Sequence, residues 1–217
     1  MRGGVIAARL ALDDGADVSR VDQYGDSPLR TAVRHGRVDV ARFLLDRGAD
    51  LHERNHEQMP NPGGSLLHDA VVARRNRVAI TRLLVDRGLN VRQTDDDGEA
   101  PLHVAAARGG ADVASFLLDR GAEINKPGHS NSTPLIWAVA CGNADVTRLL
   151  LRRGADIDWG RPGEQISALA DARRMHARGE APADSAYAHV LHFEAARAEV
   201  TRKLHADIWL RVMPFTM

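Results

Sequence analysis

The sequence predicts an all-α chain, a solenoid of stacked helix–turn–helix units closed by a helical C-terminal cap. Three observations predict it. One phrase, two apolar residues, two polar ones, then Gly and a small–acidic–apolar triplet, occurs five times, as in Leu117-Leu118-Asp119-Arg120-Gly121-Ala122-Glu123-Ile124. Its glycines, Gly15, Gly48, Gly88, Gly121 and Gly154, are 33, 40, 33 and 33 residues apart. A second phrase keeps step. The Leu of Ser27-Pro28-Leu29, Ala100-Pro101-Leu102 and Thr133-Pro134-Leu135 follows a phrase glycine by 14 residues each time. Between the phrases, apolar residues fall at helical spacing, as Val113, Phe116, Leu117 and Val146, Leu149, Leu150 do. A fixed period near 33 residues means repeated supersecondary units, each packed on its neighbours, rather than one closed core.

The chain opens on half a unit, residues 1–20. Val5, Ile6, Ala8, Arg9 and Leu10 align with Val38, Asp39, Ala41, Arg42 and Phe43, so an outer helix stands first with no inner helix before it. Terminal units of a solenoid need a polar outward face. Here Leu29, Ala32 and Val33 of the first inner helix are expected to be bare on one side. The chain is then a fragment of a longer one or has a late-assigned start, or that end is covered by a partner or a second copy.

Residues 21–159 hold four full units. Ser27 and Thr133 stand at cap positions, with a Pro after them where the first helical turn needs no N–H. A short, Ala-rich inner helix follows, Leu102 to Arg108 in the third unit. A turn breaks it at Gly36, Gly109 or Gly142, and an outer helix runs over about Val38–Asp46, 112–119 and 145–152. The phrase glycine fits a left-handed helix end that other residues adopt only with strain. The polar stretch after it carries Asp-x-x-Gly, a turn signal, and is expected to project sideways as a hairpin finger.

The second unit carries a seven-residue insertion. Five residues lengthen the finger between Gly48 and Leu67, and two enter the helix–helix turn near Arg74-Arg75-Asn76-Arg77. Inserts in solenoids map to loops, often on the binding face. After Ile157 the pattern fades. Residues 160–205 read as a degenerate helical cap, with one helix over Ser167–Arg178, a break at Gly179-Glu180-Ala181-Pro182, and a long helix from Asp184 or Ser185 to about His205. Residues 206–217 form an apolar tail whose Trp209 is expected to be buried against the cap or a partner.

The two phrases in phase, read most fully at Asp95-Asp96-Asp97-Gly98-Glu99-Ala100-Pro101-Leu102-His103-Val104-Ala105-Ala106, resemble the ankyrin repeat. That family's signature opens with Thr-Pro-Leu-His and its period is 33. The resemblance covers roughly residues 5–160. It implies a concave surface, built by the fingers and the exposed face of the inner helices, that grips partners. On matching positions the candidate partner-binding residues are Tyr24 and Asp26 in the first finger, Met59 in the long one, Asp96, Asp97 and Glu99 in the third and His129 in the fourth. Arg34, His35, Arg74, Arg75 and Arg108 take the inner-helix positions. Arg34, Arg75 and Arg108 then read as a row on successive inner helices. The resemblance also makes His68 and His103 structural, each hydrogen-bonding backbone between repeats. That tie is expected to be absent where Arg30 and Ile136 replace them.

Composition bounds the function. The 217 residues balance 29 Lys and Arg against 29 Asp and Glu, and 44% are hydrophobic, as in an ordinary soluble protein. Neutral charge argues against non-specific nucleic-acid binding. Cys141 is the only cysteine, which excludes an intrachain disulfide and fits a cysteine metal site poorly. No run approaches a membrane span, no signal-peptide pattern opens the chain, and a cytoplasmic address is the default expectation. His189 and His192 with Glu194 lack the zinc-helix pattern, and His52 and His56 sit in a loop. Cys141 has no base beside it, and no phosphate cradle or nucleotide fingerprint occurs.

The reading is a non-catalytic protein–protein interaction module, a scaffold, adaptor or inhibitor, without cofactor or metal and without a membrane. Its partner is another protein, and self-association through the incomplete first unit is a further expectation. Two alternatives stand beside it. One is a regulatory or targeting segment of a larger enzyme, or a host-directed effector. The other is an anionic-ligand or nucleic-acid binder using the arginine row.

Overall fold

Seven-residue helices do not hold together alone in water, because the cost of the first turn is spread over too few bonds. Packing supplies what they lack. A computed structural model of the chain describes residues 3–55, 62–159, 168–179 and 185–212, with side chains described to Glu199 apart from those of residues 171 and 175. Eleven α-helices occur among them: α1 (Gly3–Asp13), α2 (Pro28–Arg34), α3 (Val38–Asp46), α4 (Leu66–Val71), α5 (Arg77–Asp86), α6 (Pro101–Ala107), α7 (Ala111–Asp119), α8 (Pro134–Ala140), α9 (Ala144–Arg152), α10 (Ala168–Ala177) and α11 (Ala186–Val212). Helices α2, α4, α6, α8 and α10 stack in sequence as one layer, and α1, α3, α5, α7, α9 and α11 as a second. Within each unit the inner helix packs on the outer one that follows it. The cap keeps this plan, with α10 on α8 and α11 on α9.

The local signals act as their chemistry requires. The Ser27 hydroxyl accepts the Arg30 N–H at 3.0 Å and Thr133 the Ile136 N–H at 3.4 Å. The five phrase glycines all have positive φ, from 84° at Gly121 to 106° at Gly88. The short turns at Gly36, Gly109 and Gly142 do too. Leu29, Leu66, Leu67, Leu102, Leu135 and Leu150 are almost fully buried, and one continuous apolar cluster runs from Leu29 to Val190. Burying a leucine is worth about 1.5–3 kcal/mol, so each layer is held by its neighbours more than by its own helix propensity.

Three expectations change. Leu29 and Val33 are 1% and 0% exposed, not bare. Helix α2 lies between α3 and α4, and Leu12 and Val18 close over the same cluster. The exposed apolar residues at this end are instead Ile6, Leu10, Val21 and Tyr24. Helix α11 does not stop near His205 but continues to Val212, taking in the backbone of Trp209, whose side chain lies outside the described residues. The fingers are also less sheet-like than hairpins. Among the described residues the one β-bridge joins Arg54 to Ser65 in the long finger.

Candidate functional site

Ties between repeats join the start of each histidine-bearing inner helix to the next finger. His68 and His103 accept an N–H on Nδ1 from Ser65 and Ala100 at 3.0 and 2.9 Å. That leaves Nε2–H to donate to the next finger, to the Glu99 carbonyl at 3.0 Å and the Lys126 carbonyl at 2.9 Å. Burial holds both rings neutral, lowering His68 and taking His103 down to about 4. The 3.5 Å approach of His103 Nδ1 to Glu99 is therefore no ion pair. These histidines are structural, as the resemblance implied.

Arg30 corrects one expectation. It stands at the histidine position of the first repeat, and the inter-repeat tie is not lost there but ionic. Its guanidinium is buried, 3.2 Å from Asp69 Oδ2 and 3.5 Å from Glu53 Oε1. Arg34 joins the same group, 2.6 Å from Asp26 and 3.6 Å from Asp69. The Ser27 hydroxyl donates to Glu53 at 2.8 Å. Three carboxylates thus share two guanidiniums. Burial outweighs the arginines at Asp69 and pushes its carboxyl up to about 6, and burial also raises Glu53.

Several candidate residues are thereby paired with other residues of the chain. Asp26 and Arg34 belong to this buried group. Glu99 accepts the Trp137 indole N–H at 3.1 Å and the His129 backbone N–H at 3.0 Å, bracing the fourth finger; burial raises its carboxyl. Asp96 lies 3.7 Å from Arg54, and its backbone N–H meets the Pro62 carbonyl at 2.9 Å, linking the third finger to the long one. Met59 lies outside the described residues.

The exposed candidates are Tyr24, at 69% the most exposed large apolar-bodied residue of its surroundings, with His35, Arg74, Arg75, Asp96, Asp97, Arg108 and His129. They do not form one row. Helix α4 ends at Val71, so Arg74 and Arg75 sit in the α4–α5 turn beside His35 of the α2–α3 turn. The two inserted residues shift them off the position of Arg34. Fingers flank the N-terminal ends of the inner helices and turns their C-terminal ends, so the acidic and aromatic candidates gather on one edge and the basic ones on the other.

Sequence reasoning missed a ladder on the outer side. Arg47, Arg87, Arg120 and Arg153 each reach the aspartate of the preceding repeat, at 3.6, 2.9, 2.9 and 2.8 Å from Asp13, Asp46, Asp86 and Asp119. The signal was the Asp-Arg before Gly48, Gly88 and Gly121, with Asp13 and Arg153 supplying the first acid and the last base. Arg47 and Arg120 also lie over the Phe43 and Phe116 rings, 4.8 and 4.7 Å from their centroids. Among the described residues no group of three or more His, Cys, Asp or Glu converges as a metal site, and no helix is long and apolar enough to cross a membrane.

Comparison with known proteins agrees with this architecture. Two family models, described as ankyrin repeats (3 copies) and ankyrin repeats (many copies), match residues 67–159 and residues 2–45. Mouse (Mus musculus) 2-5A-dependent ribonuclease is 43% identical over 54 residues, 24% of this chain and 7% of that protein. Human (Homo sapiens) Rabankyrin-5 is 35% identical over 60 residues, 28% of this chain and 5% of its own length. Human protein phosphatase 1 regulatory subunit 27 is 33% identical over 57 residues, 26% of this chain and 37% of its own. The matched segment is thus a minor part of each relative. The crystal structure of the human ASB11 ankyrin repeat domain superposes with a TM-score of 0.71 at 22% identity, covering 88% of this chain and 80% of that one. Paired helices in two stacked layers, histidine ties from one repeat to the next finger and both family matches lead to one conclusion: the chain belongs to the ankyrin repeat family.

Proposed function

We propose that this protein is a non-catalytic interaction module that binds another protein along its concave side, with the finger edge as the anchor. Ankyrin repeats generally serve as protein–protein interaction modules. The observation that carries the reading here is Tyr24. It stands 69% exposed on the first finger, although an aromatic that size loses apolar contact by staying in water. Asp97 and His129 are exposed on later fingers of the same edge, and Arg108 is exposed at the end of α6. A partner segment with an apolar anchor and mixed charge suits this surface. The partial match to a phosphatase regulatory subunit supports a regulatory role beside a second protein.

The test is affinity capture of partners, followed by calorimetry with the captured protein. Tyr24→Ser with Arg108→Glu is expected to weaken binding by at least ~2 kcal/mol, as for a central anchor plus a reversed charge. Arg42→Glu with Arg152→Glu, on the outer helices, is expected to change it by under about 0.5 kcal/mol. Arg148 is unsuitable as that control, because it pairs with Asp145 and hydrogen-bonds His189 of α11. Loss of binding in the outer-helix variant alone would place the site on the convex side and refute this reading.

A further inference from the structure

The α2–α3 and α4–α5 turns, with Gly4 of α1, border an open cavity of about 600 Å³ whose wall includes His35, Arg37, Asp39, Arg74, Arg75 and Asn76. We propose that this cavity is a binding site for a phosphate-type dianion, the free ion or the phosphoryl group of a phosphomonoester.

The charges come first. Three arginines line one space with one aspartate, Asp39, so two positive charges remain before His35 is counted. Among the described residues Arg37, Arg74 and Arg75 have no carboxylate partner; Arg42 and Arg108 have none either, but these three differ in lining one space together. Gathering like charges is unfavourable unless an anion fills the space between them. A phosphomonoester carries about −1.5 to −2 charges at pH 7 and three acceptor oxygens, which matches this excess. Guanidinium forks suit those oxygens in a way that point charges do not.

The frame is built rather than loose. Asn76 adopts the left-handed conformation at φ 51°, and its Nδ2 donates to the Gly36 carbonyl at 3.0 Å. The Arg74 N–H reaches the Arg34 carbonyl at 3.1 Å. A Cβ on Gly36 would come within 1.8 Å of the Arg75 carbonyl oxygen, so the two turns are pressed together there. Helices α3 and α5 both begin at this wall. Their cap residues, Arg37 and Asn76, make no side-chain cap hydrogen bond, which leaves first-turn N–H groups unspent and the dipole ends favourable to an anion. The two inserted residues are what distinguish this turn: 72–76 separates α4 from α5, where three residues suffice at 35–37, 108–110 and 141–143. The site lies on the edge opposite the fingers and does not depend on the partner reading above.

The test is a titration of the isotopically labelled full chain with inorganic phosphate, against chloride at equal ionic strength, followed through its amide resonances. Saturable shifts are expected at Val38–Val40 and Arg77–Ala79 at low-millimolar phosphate. Arg74→Gln with Arg75→Gln should weaken this at least tenfold, and Arg42→Gln with Arg152→Gln should leave it unchanged. Should the double variant not fold, which its spectrum reveals, Arg37→Gln alone serves the same end. Shifts that are absent, spread over every arginine-bearing helix, or unchanged in the cavity variants would overturn the proposal. A second arm compares a short phosphoserine peptide with its unphosphorylated form. Peptide binding at least tenfold tighter than inorganic phosphate assigns the dianion to a protein side chain; equal binding assigns it to the free ion or a small phosphate ester.

Discussion

Two buried groups on the inner helices respond to acid in opposite directions. Asp69 has its carboxyl raised from 3.8 to about 6 by burial, so the folded state binds a proton that the unfolded chain releases. Its contribution to stability is fully present below 3.8 and is lost as pH rises through about 6, a cost of roughly 3 kcal/mol. His103 is lowered from 6.5 to about 4, so the unfolded chain takes the proton first. Its contribution is present above 6.5 and is lost as pH falls towards 4, again roughly 3 kcal/mol, and His68 acts in the same direction. The two slopes offset each other between pH 4 and 6.

Urea unfolding at pH 4.5, 5.5 and 7 separates these contributions. Asp69→Asn should lose stability more steeply on acidification than the parent, and His103→Gln less steeply. Parallel curves for all three proteins would show that burial does not control these groups. Glycines at this scale differ by what surrounds them. Gly36→Ala places a Cβ against the Arg75 backbone and should cost more than about 3 kcal/mol. Gly121→Ala, at φ 84° with only the Arg92 tip nearby at 3.6 Å, should cost about 1–2 kcal/mol for its backbone alone. Equal melting temperatures for the two variants would contradict this ranking.

At the scale of elements, register is kept by three kinds of link. Histidine imidazoles join an inner helix to the next finger, the Arg30 group does the same ionically, and the arginine–aspartate ladder joins successive outer helices. The ladder lies in water, so each rung contributes little. A double-mutant cycle on Arg87→Gln and Asp46→Asn should give a coupling of about 0.5 kcal/mol in low salt that fades near ~1 M salt. A coupling of several kcal/mol would mean that the rung is buried in solution. The ladder closes at α9 because the fifth copy of the phrase has Arg152 where the others have aspartate. That substitution coincides with the point where the repeat gives way to the cap.

The whole molecule is a stack, and a stack has ends. One end is covered by α11 lying on α9 and α10. At the other, Ile6 and Leu10 of α1 are 57% and 59% exposed. This apolar stripe has the spacing of a helix face that packs on another helix. The chain is expected to self-associate through it. In sedimentation equilibrium the parent should show a concentration-dependent dimer, and Ile6→Ser with Leu10→Ser should sediment as a monomer. A parent that stays monomeric at every concentration would count against this contact.

The sequence by itself determined the repeat, its period, the helix pairs and the left-handed glycines. Those rest on local chemistry: a cap hydroxyl, a proline at a first turn, a glycine at positive φ, apolar residues spaced for one face. The insertion in the second unit was legible for the same reason, by counting from Gly48 to Gly88. What only the tertiary structure decided is which charges meet across repeats. Arg30 reads as a lost histidine, yet it finds Asp69 39 residues away. Arg34 and Arg75 read as one row, yet the inserted residues carry Arg75 to the opposite edge from the fingers. Glu99 reads as part of an exposed acidic tip, yet it turns inward to Trp137. Periodicity fixes where a backbone goes, because each repeat repeats the same local choices. Pairing of long polar side chains depends on distances between repeats, and no single repeat contains that information.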